Sequence, residues 1–112
     1  MLGVELCSIC GNNHSGACSA EPMYFYWYPS DILHPPKYVQ VVGEWHKWQK
    51  HEEMKREVDE KGEIYFEIQI NIPVGKYHYK YLVDGKWAYD PASPKIDDSF
   101  GSYNNVIEVV VA

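Results

Sequence analysis

The chain has 112 residues, a formal net charge of −6, and ten Tyr and four Trp among its 15% aromatic residues. This length suits one domain with a modest core. The acidic balance argues against a nucleic-acid partner and against docking on an anionic membrane, because both need a basic surface. No apolar run reaches the roughly 18 residues of a spanning helix, so we predict no membrane insertion.

The first 22 residues differ from the rest of the chain, because they hold all three cysteines and show no helical or strand period. The spacing Cys7-x2-Cys10-x3-His14-x3-Cys18 supplies three thiolates and one imidazole, the ligands of a tetrahedral structural zinc site. The alternative is a tail in which these residues are incidental. A zinc ion here would be structural, because four protein ligands leave no open position for chemistry.

The cysteines and the first residues also bear on the cellular compartment. Three cysteines, all before residue 20, do not make an even disulfide framework. The first residues lack the basic region and the apolar run of a secretory leader. We therefore expect a reducing compartment and a cytoplasmic location.

The next part of the chain is typical of strands separated by loops. An aromatic run at residues 23–28 is stopped by Pro29, and an alternating run follows at 38–43. Residues 44–50 are a loop with two tryptophans. The charged stretch 51–62 has two interpretations, one exposed helical turn or a solvated connection, and the solvated connection is favoured.

Residues 63–72 alternate cleanly between apolar and polar side chains, which predicts a strand with one buried face. After a turn at 73–76, residues 77–83 form the next strand, with Lys80 on the face opposite a row of tyrosines. Asp84-Gly85 tolerates the positive φ angles of a tight primed turn and predicts a hairpin tip. The predicted buried face of the first strand consists of Ile64, Phe66, Ile68 and Ile70. One side of the second strand consists of Tyr77, Tyr79, Tyr81 and Val83.

The last part of the chain contains a short return strand at 86–90, a loop at 91–103 and a final strand at 105–111. Seven or so short strands without a good helix predict an all-β, immunoglobulin-like antiparallel β-sandwich over residues 23–112. The short Cys/His-containing segment of residues 1–22 precedes it.

The sequence carries no nucleophile, P-loop or dinucleotide motif. A glycosidase needs two carboxyl groups poised across a bond. The available carboxylates have simpler explanations, namely the hairpin turn, a position before Pro91 and a solvated loop, and these residues are Asp84, Asp90, Asp97 and Asp98. We therefore expect no catalysis.

Side chains near predicted turns suit the binding of a sugar, whose C–H faces meet aromatic planes and whose hydroxyls meet amide or ammonium groups. Candidates are Trp48, Lys80, Trp87, Phe100, Ser102 and Asn104. Simpler roles exist for them, because a strand lysine is commonly solvated and an asparagine commonly serves a turn. For Trp45 and Phe66 burial in the core is favoured. For Trp48 and Trp87 the pattern leaves core and platform equally open.

Three segments together carry a family resemblance, and they are VQVVGEWHKWQ (39–49), GEIYFEIQINIPVGKYHYKYLVDGKWAYDP (62–91) and DDSFGSYNNVIEV (97–109). They resemble carbohydrate-binding module family 48, in particular the glycogen-binding domains of AMP-activated protein kinase β subunits, over residues 23–111. The resemblance implies a non-catalytic module that lays an α-glucan across two tryptophans, with further contacts from a lysine, a small loop and an asparagine. By motif position these are Trp48, Trp87, Lys80, Phe100, Ser102 and Asn104.

This sequence departs from the family pattern at two loops. The usual Gly-x-Phe-Asn-x-Trp has become Gly43-Glu44-Trp45-His46-Lys47-Trp48, and Phe100 and Ser102 stand where leucine and threonine are usual. Two hypotheses follow. The chain holds an α-1,4-glucan such as glycogen or starch, or it is a structural or scaffold subunit of a larger protein assembly that keeps the fold without binding sugar. Solvent exposure of the two candidate platform tryptophans separates them.

Overall fold

The computed structural model describes residues 20–111, and within that range it contains nine strands and one 3-10 helix. No helix in this range is long and apolar enough to cross a membrane. The elements are β1 (Ala20–Trp27), β2 (Val39–Gly43), the 3-10 helix (Glu44–His46), β3 (Glu52–Glu53), β4 (Lys55–Val58), β5 (Ile64–Pro73), β6 (Gly75–Val83), β7 (Lys86–Ala88), β8 (Lys95–Asp97) and β9 (Tyr103–Val109).

The strands form two antiparallel sheets. The smaller sheet has the order β1-β5-β4, and the larger has the order β3-β2-β6-β9-β8, with β7 paired to β6 beyond the end of β9. This confirms the predicted all-β antiparallel sandwich. The predicted zinc ligands Cys7, Cys10, His14 and Cys18 lie outside the described residues, and the zinc site stays a prediction.

The core between the sheets follows the predicted alternation. Phe66 and Ile72 of β5 are buried, as are Tyr79 and Tyr81 of β6. Burial of their phenols raises the pKa of Tyr79 to about 12 and raises that of Tyr81 further. Both therefore remain neutral core residues. Trp45 packs against the same core, as predicted.

The charged stretch after residue 51 is not a solvated connection, and that prediction was wrong over Glu52–Val58. Strand β3 pairs with β2 in the larger sheet, and β4 pairs with β5 in the smaller one. Between them Met54 is buried and donates its N–H to the Val39 carbonyl at 2.9 Å. Both strands are sheet edges, where charged side chains reach water. The many charges therefore suggested a loop, and the single buried residue Met54 was too weak a signal to indicate strands.

Several other strand boundaries differ from prediction, and β9, predicted at 105–111, runs over Tyr103–Val109. Strand β1 begins at Ala20, three residues before the predicted start, and runs through Pro22. Proline is tolerated there because β1 is an edge strand of its sheet. Strand β8 lies inside the predicted loop 91–103, and all three of its residues are exposed. A strand this short and this exposed leaves no hydrophobic alternation to detect.

The predicted hairpin tip at Asp84-Gly85 is confirmed. Both residues have positive φ angles, 50° and 80°, as a type I′ turn requires. The Asp84 carboxylate accepts the N–H groups of Lys37 and Tyr38, at 2.8 and 3.1 Å. The turn brings Trp87 opposite Leu82 of β6.

Gly43 is required by close packing rather than by its backbone angles. A Cβ at this position would overlap the six-membered ring of Trp45. We expect Gly43→Ala to destabilise the fold by about 1–3 kcal/mol, the usual cost of overpacking, measured by urea denaturation.

The matched control for this prediction is Trp45→Phe, which shortens the ring and removes a buried indole N–H that has no hydrogen-bond partner in the described part of the chain. Gly43→Ala should cost less in the Trp45→Phe background, because the overlap is relieved. An equal cost in both backgrounds would contradict the packing argument.

Candidate functional site

An open groove of about 540 Å³ lies on the outer surface of the larger sheet. Lys80 points to this surface because it alternates with the core residues Tyr79 and Tyr81. The lining residues are Trp48, Lys80, Trp87, Asp98, Phe100 and Asn104. The structure therefore brings five of the six predicted site residues together, and it places the sixth, Ser102, in the loop that carries Phe100.

The loop after β2 separates its two tryptophans. Trp45 turns inward, where its ring centroid lies 5.3 Å from that of Phe25 and 5.9 Å from that of Tyr79. Trp48 instead lines the groove, and its backbone N–H donates to the Gly43 carbonyl at 3.0 Å. The closed turn settles which tryptophan is core, a question that the pattern left open for Trp48.

The backbone of this loop is strained at the groove. Lys47 and Trp48 both have positive φ angles, 54° and 62°. Residues with side chains adopt this region at a cost, and such outliers concentrate at functional sites. Hydrogen bonds from the Lys47 N–H to the Glu44 carbonyl and from the Trp48 N–H to the Gly43 carbonyl hold the conformation.

Trp87 stands on β7 with 56% of its surface exposed. The imidazole of His51 is nearly perpendicular to the Trp87 ring, at 75°, with a centroid distance of 6.2 Å. Val42 and Leu82 are buried, although alternation along β2 and β6 points them to the groove surface. In the strand register Val42 lies opposite Lys80 and Leu82 opposite Trp87, so buried aliphatic side chains flank these two groove residues.

Asp98 organises the loop that carries Phe100. Its Oδ1 accepts the N–H groups of Phe100 and Ser102 at 2.8 and 3.0 Å. Its own N–H donates to the Ser102 carbonyl at 3.1 Å, which closes the loop. Phe100 sits at the tip with 93% of its surface exposed. The loop thus presents an aromatic ring to solvent from a backbone fixed by hydrogen bonds.

Asp98 also forms an ion pair with Lys80, and both residues line the groove. The Lys80 Nζ donates to Asp98 Oδ2 and to the Tyr103 carbonyl, each at 2.8 Å, and the two charged side chains are only 16% and 8% exposed. The hydrogen bond from Lys80, followed by those from the Phe100 and Ser102 N–H groups, lowers the pKa of Asp98 to about 2. Within residues 20–111 these two acceptors leave one N–H of the ammonium for a ligand.

The expectation that Asp98 is a solvated loop residue was wrong. Its carboxylate accepts hydrogen bonds from the Lys80 ammonium and from two backbone N–H groups of the 98–102 loop. The local signal for this role was Asp98 followed by Ser, Phe, Gly and Ser, because small and polar residues after an aspartate favour a loop closed by side chain-to-backbone bonds. The partner Lys80 is 18 residues away and gave no local signal.

The two asparagines at the start of β9 have different roles. Asn105 is fully buried, accepts the Asp90 N–H at 2.8 Å and donates to the Asp90 and Pro94 carbonyls, so it fastens the loop before β8. Asn104 lines the groove, and its amide nitrogen lies 3.5 Å from Nδ1 of His78. Only Asn104 therefore offers its amide to a ligand.

The remaining carboxylates have structural roles. Asp90 accepts the Ala92 N–H at 2.9 Å and the Ser93 hydroxyl at 2.7 Å, in keeping with its place before Pro91. Asp97 accepts the Ser99 N–H at 2.7 Å. Among residues 20–111 no group of three or more His, Cys, Asp or Glu side chains is placed to hold a metal ion.

An antiparallel sandwich that gathers exposed aromatic rings, an ammonium and an amide around an open groove has the architecture of a carbohydrate-binding module. A comparison with protein families agrees. Residues 29–112 match the family described as the glycogen recognition site of AMP-activated protein kinase, and the chain belongs to that family.

The similar proteins are kinase subunits. The chain is 29% identical over 97 residues to 5'-AMP-activated protein kinase subunit beta-1 of Sus scrofa, covering 87% of this chain and 70% of that protein. To the beta-1 subunit of Rattus norvegicus it is 28% identical, and the match covers 87% of this chain but 32% of the relative. A 40-residue match to the beta-2 subunit of Mus musculus is 40% identical, over 36% of this chain and 15% of that subunit.

Proposed function

We propose that the chain holds an α-1,4-glucan, glycogen or starch, across Trp48 and Trp87 in the groove. The observation that carries this proposal is the convergence of exposed aromatic rings with hydrogen-bonding groups at one open surface. Trp87 is 56% and Phe100 93% exposed, which costs free energy in water unless a ligand covers the rings. Family membership supports the same ligand class.

The groove residues divide the contacts between faces and edges of the sugar. The indoles of Trp48 and Trp87 stack on the weakly apolar C–H faces. The free N–H of Lys80 donates to a hydroxyl oxygen, and the Asn104 amide donates and accepts at neighbouring hydroxyls. Phe100 projects beyond the sheet and reaches into the turn of a curved glucan chain.

We also propose that the module does not cleave its ligand. A glycosidase needs one carboxylic acid that stays protonated and a second carboxylate across the bond. The carboxyl group that lines the groove belongs to Asp98. Its pKa is lowered to about 2 by Lys80 and two backbone N–H groups, so it is ionised at neutral pH and cannot act as the acid.

The alternative, a scaffold subunit without sugar binding, is favoured where the platform tryptophans are buried or covered by another chain. Trp48 is half-buried in the groove and Trp87 is exposed. The exposed fraction of Trp87 favours the binding module instead. Because the relatives are named as kinase subunits, we propose that the module works within a larger protein assembly and tethers it to glucan. A cytoplasmic location stays a prediction.

Affinity electrophoresis tests the proposed ligand directly. The protein should migrate more slowly in a native gel containing glycogen than in a plain gel, and soluble maltoheptaose should restore its mobility by competing for the groove. A gel containing a β-linked glucan is the matched control, and mobility there should be unchanged. Equal mobility in the glycogen and plain gels would refute glucan binding.

A further inference from the structure

A second aromatic surface lies on the other side of the sandwich, on the outer face of the smaller sheet. We call it the tyrosine row, and it consists of Tyr24, Tyr26, Tyr28 and Tyr65. The first three are 59%, 40% and 67% exposed. They point outward because the residues between them, Phe25 and Trp27, pack in or against the core. The row is therefore separated from the groove by the full thickness of the sandwich.

The rings of the row share an orientation. The Tyr26 and Tyr28 rings have centroids 6.2 Å apart and planes 24° apart. The Tyr28 and Tyr65 rings, from different strands, have centroids 5.7 Å apart and planes 18° apart. Three rings thus run nearly parallel across the sheet. The outer face of an antiparallel sheet is ordinarily polar, so a continuous row of aromatic rings there calls for a ligand.

The side chains paired with the row are polar rather than aliphatic. Gln69 lies opposite Tyr24 and donates its amide N–H to the Tyr24 hydroxyl at 3.2 Å. Glu67 lies between Tyr26 and Lys55 in the strand register. Protein–protein interface cores are depleted of charged residues. Rings that share a sheet face with the Gln69 amide, the Glu67 carboxylate and the Lys55 ammonium instead match the C–H faces and hydroxyl edges of a sugar.

We propose that the tyrosine row is a second carbohydrate-binding surface, which takes a second segment of the same neutral polysaccharide. This inference rests on the proposed function for its ligand class and adds a site on the opposite face. Two sites on opposite faces cannot lie on one short oligosaccharide. The module therefore bridges two glucan chains or branches, and its retention on glycogen exceeds the affinity of the groove alone.

The test compares wild type, Trp87→Ala, and the pair Tyr26→Thr/Tyr28→Thr. Threonine keeps the strand propensity of tyrosine while removing the ring. We expect the threonine pair to bind maltoheptaose in the groove within about twofold of wild type by calorimetry, but to lose about tenfold or more of its retention on glycogen. It should also lose the ability to cluster glycogen particles, measured by light scattering.

Two controls separate the rings from other effects of substitution. Tyr26→Phe/Tyr28→Phe keeps the rings and should retain glycogen clustering. Leu33→Thr removes a side chain that is 81% exposed outside the row and should behave as wild type. Thermal unfolding of each variant checks that the fold is intact.

The outcomes distinguish this inference from the proposed function. If wild type binds maltoheptaose and the threonine pair matches it on glycogen, the second surface is refuted while the groove stands. If Trp87→Ala keeps wild-type maltoheptaose affinity and the threonine pair loses it, the groove assignment fails and the row is supported. If the threonine pair only converts a dimeric wild type to a monomer in sedimentation, the row is a self-association surface and the proposal is overturned.

Discussion

Replacing Trp87 with alanine is expected to reduce retardation in a glycogen gel to what the tyrosine row alone provides, and to raise the Kd of the groove for maltoheptaose about 30-fold or more, which corresponds to about 2 kcal/mol for an aromatic hot spot. The indole is 56% exposed and lines the groove, so it offers a broad aromatic face to a ligand. Calorimetry with maltoheptaose measures the change.

The fold should tolerate this change because the ring is mostly in solvent. Trp87→Phe, which keeps an aromatic face of smaller area, should bind with intermediate affinity. Ile96→Ala on β8 is the matched surface control, since Ile96 is 48% exposed and does not line the groove. Wild-type affinity in Trp87→Ala, with an unchanged unfolding temperature, would remove this residue from the binding site.

The parts of the fold that could be predicted are those with long buried faces. Strand β5 alternates over ten residues, and Tyr77, Tyr79 and Tyr81 of β6 face the core, so both strands were predicted from the period alone. The Asp84-Gly85 turn was predicted from the φ preferences of its two residues. Each of these signals is local, and tertiary contacts agree with it.

The parts that could not be predicted depend on contacts distant in sequence. Strands β3 and β4 are short edges whose only buried anchor between them is Met54. The residue pattern left Trp48 open between core and platform, and only the family resemblance assigned it to the site. The turn that orients it has two left-handed residues, which neither lysine nor tryptophan signals. Asp98 gains its role from its contact with Lys80 of β6. The two side chains meet only because β6 pairs with β9, the strand that follows the Asp98 loop.

Asp98 is therefore the residue whose substitution should reveal most about how the groove is held. Asp98→Ala removes acceptors for Lys80, Phe100 and Ser102 together. We expect a loss of about tenfold or more in maltoheptaose affinity, because Phe100 and the ammonium lose their fixed positions. Asp98→Asn keeps an acceptor for the loop N–H groups and should lose less. Equal affinity in all three proteins would show that the loop holds its shape without the carboxylate.

The same carboxylate predicts how stability depends on pH. The pKa of Asp98 is about 2 in the folded chain, lowered first by the hydrogen bond from Lys80, whereas an unfolded aspartate has a pKa of about 3.9. A depressed folded pKa stabilises the fold above the unfolded value, and this contribution is lost as pH falls from about 4 towards 2. Urea midpoints should therefore fall over that window in wild type and fall less in Asp98→Asn, which has no group to protonate. If the urea midpoint depends on pH equally in the two proteins, the Lys80–Asp98 pair does not contribute to stability. If the dependence is flatter in Asp98→Asn while its maltoheptaose affinity at pH 7 equals that of wild type, the pair stabilises the fold without contributing to binding.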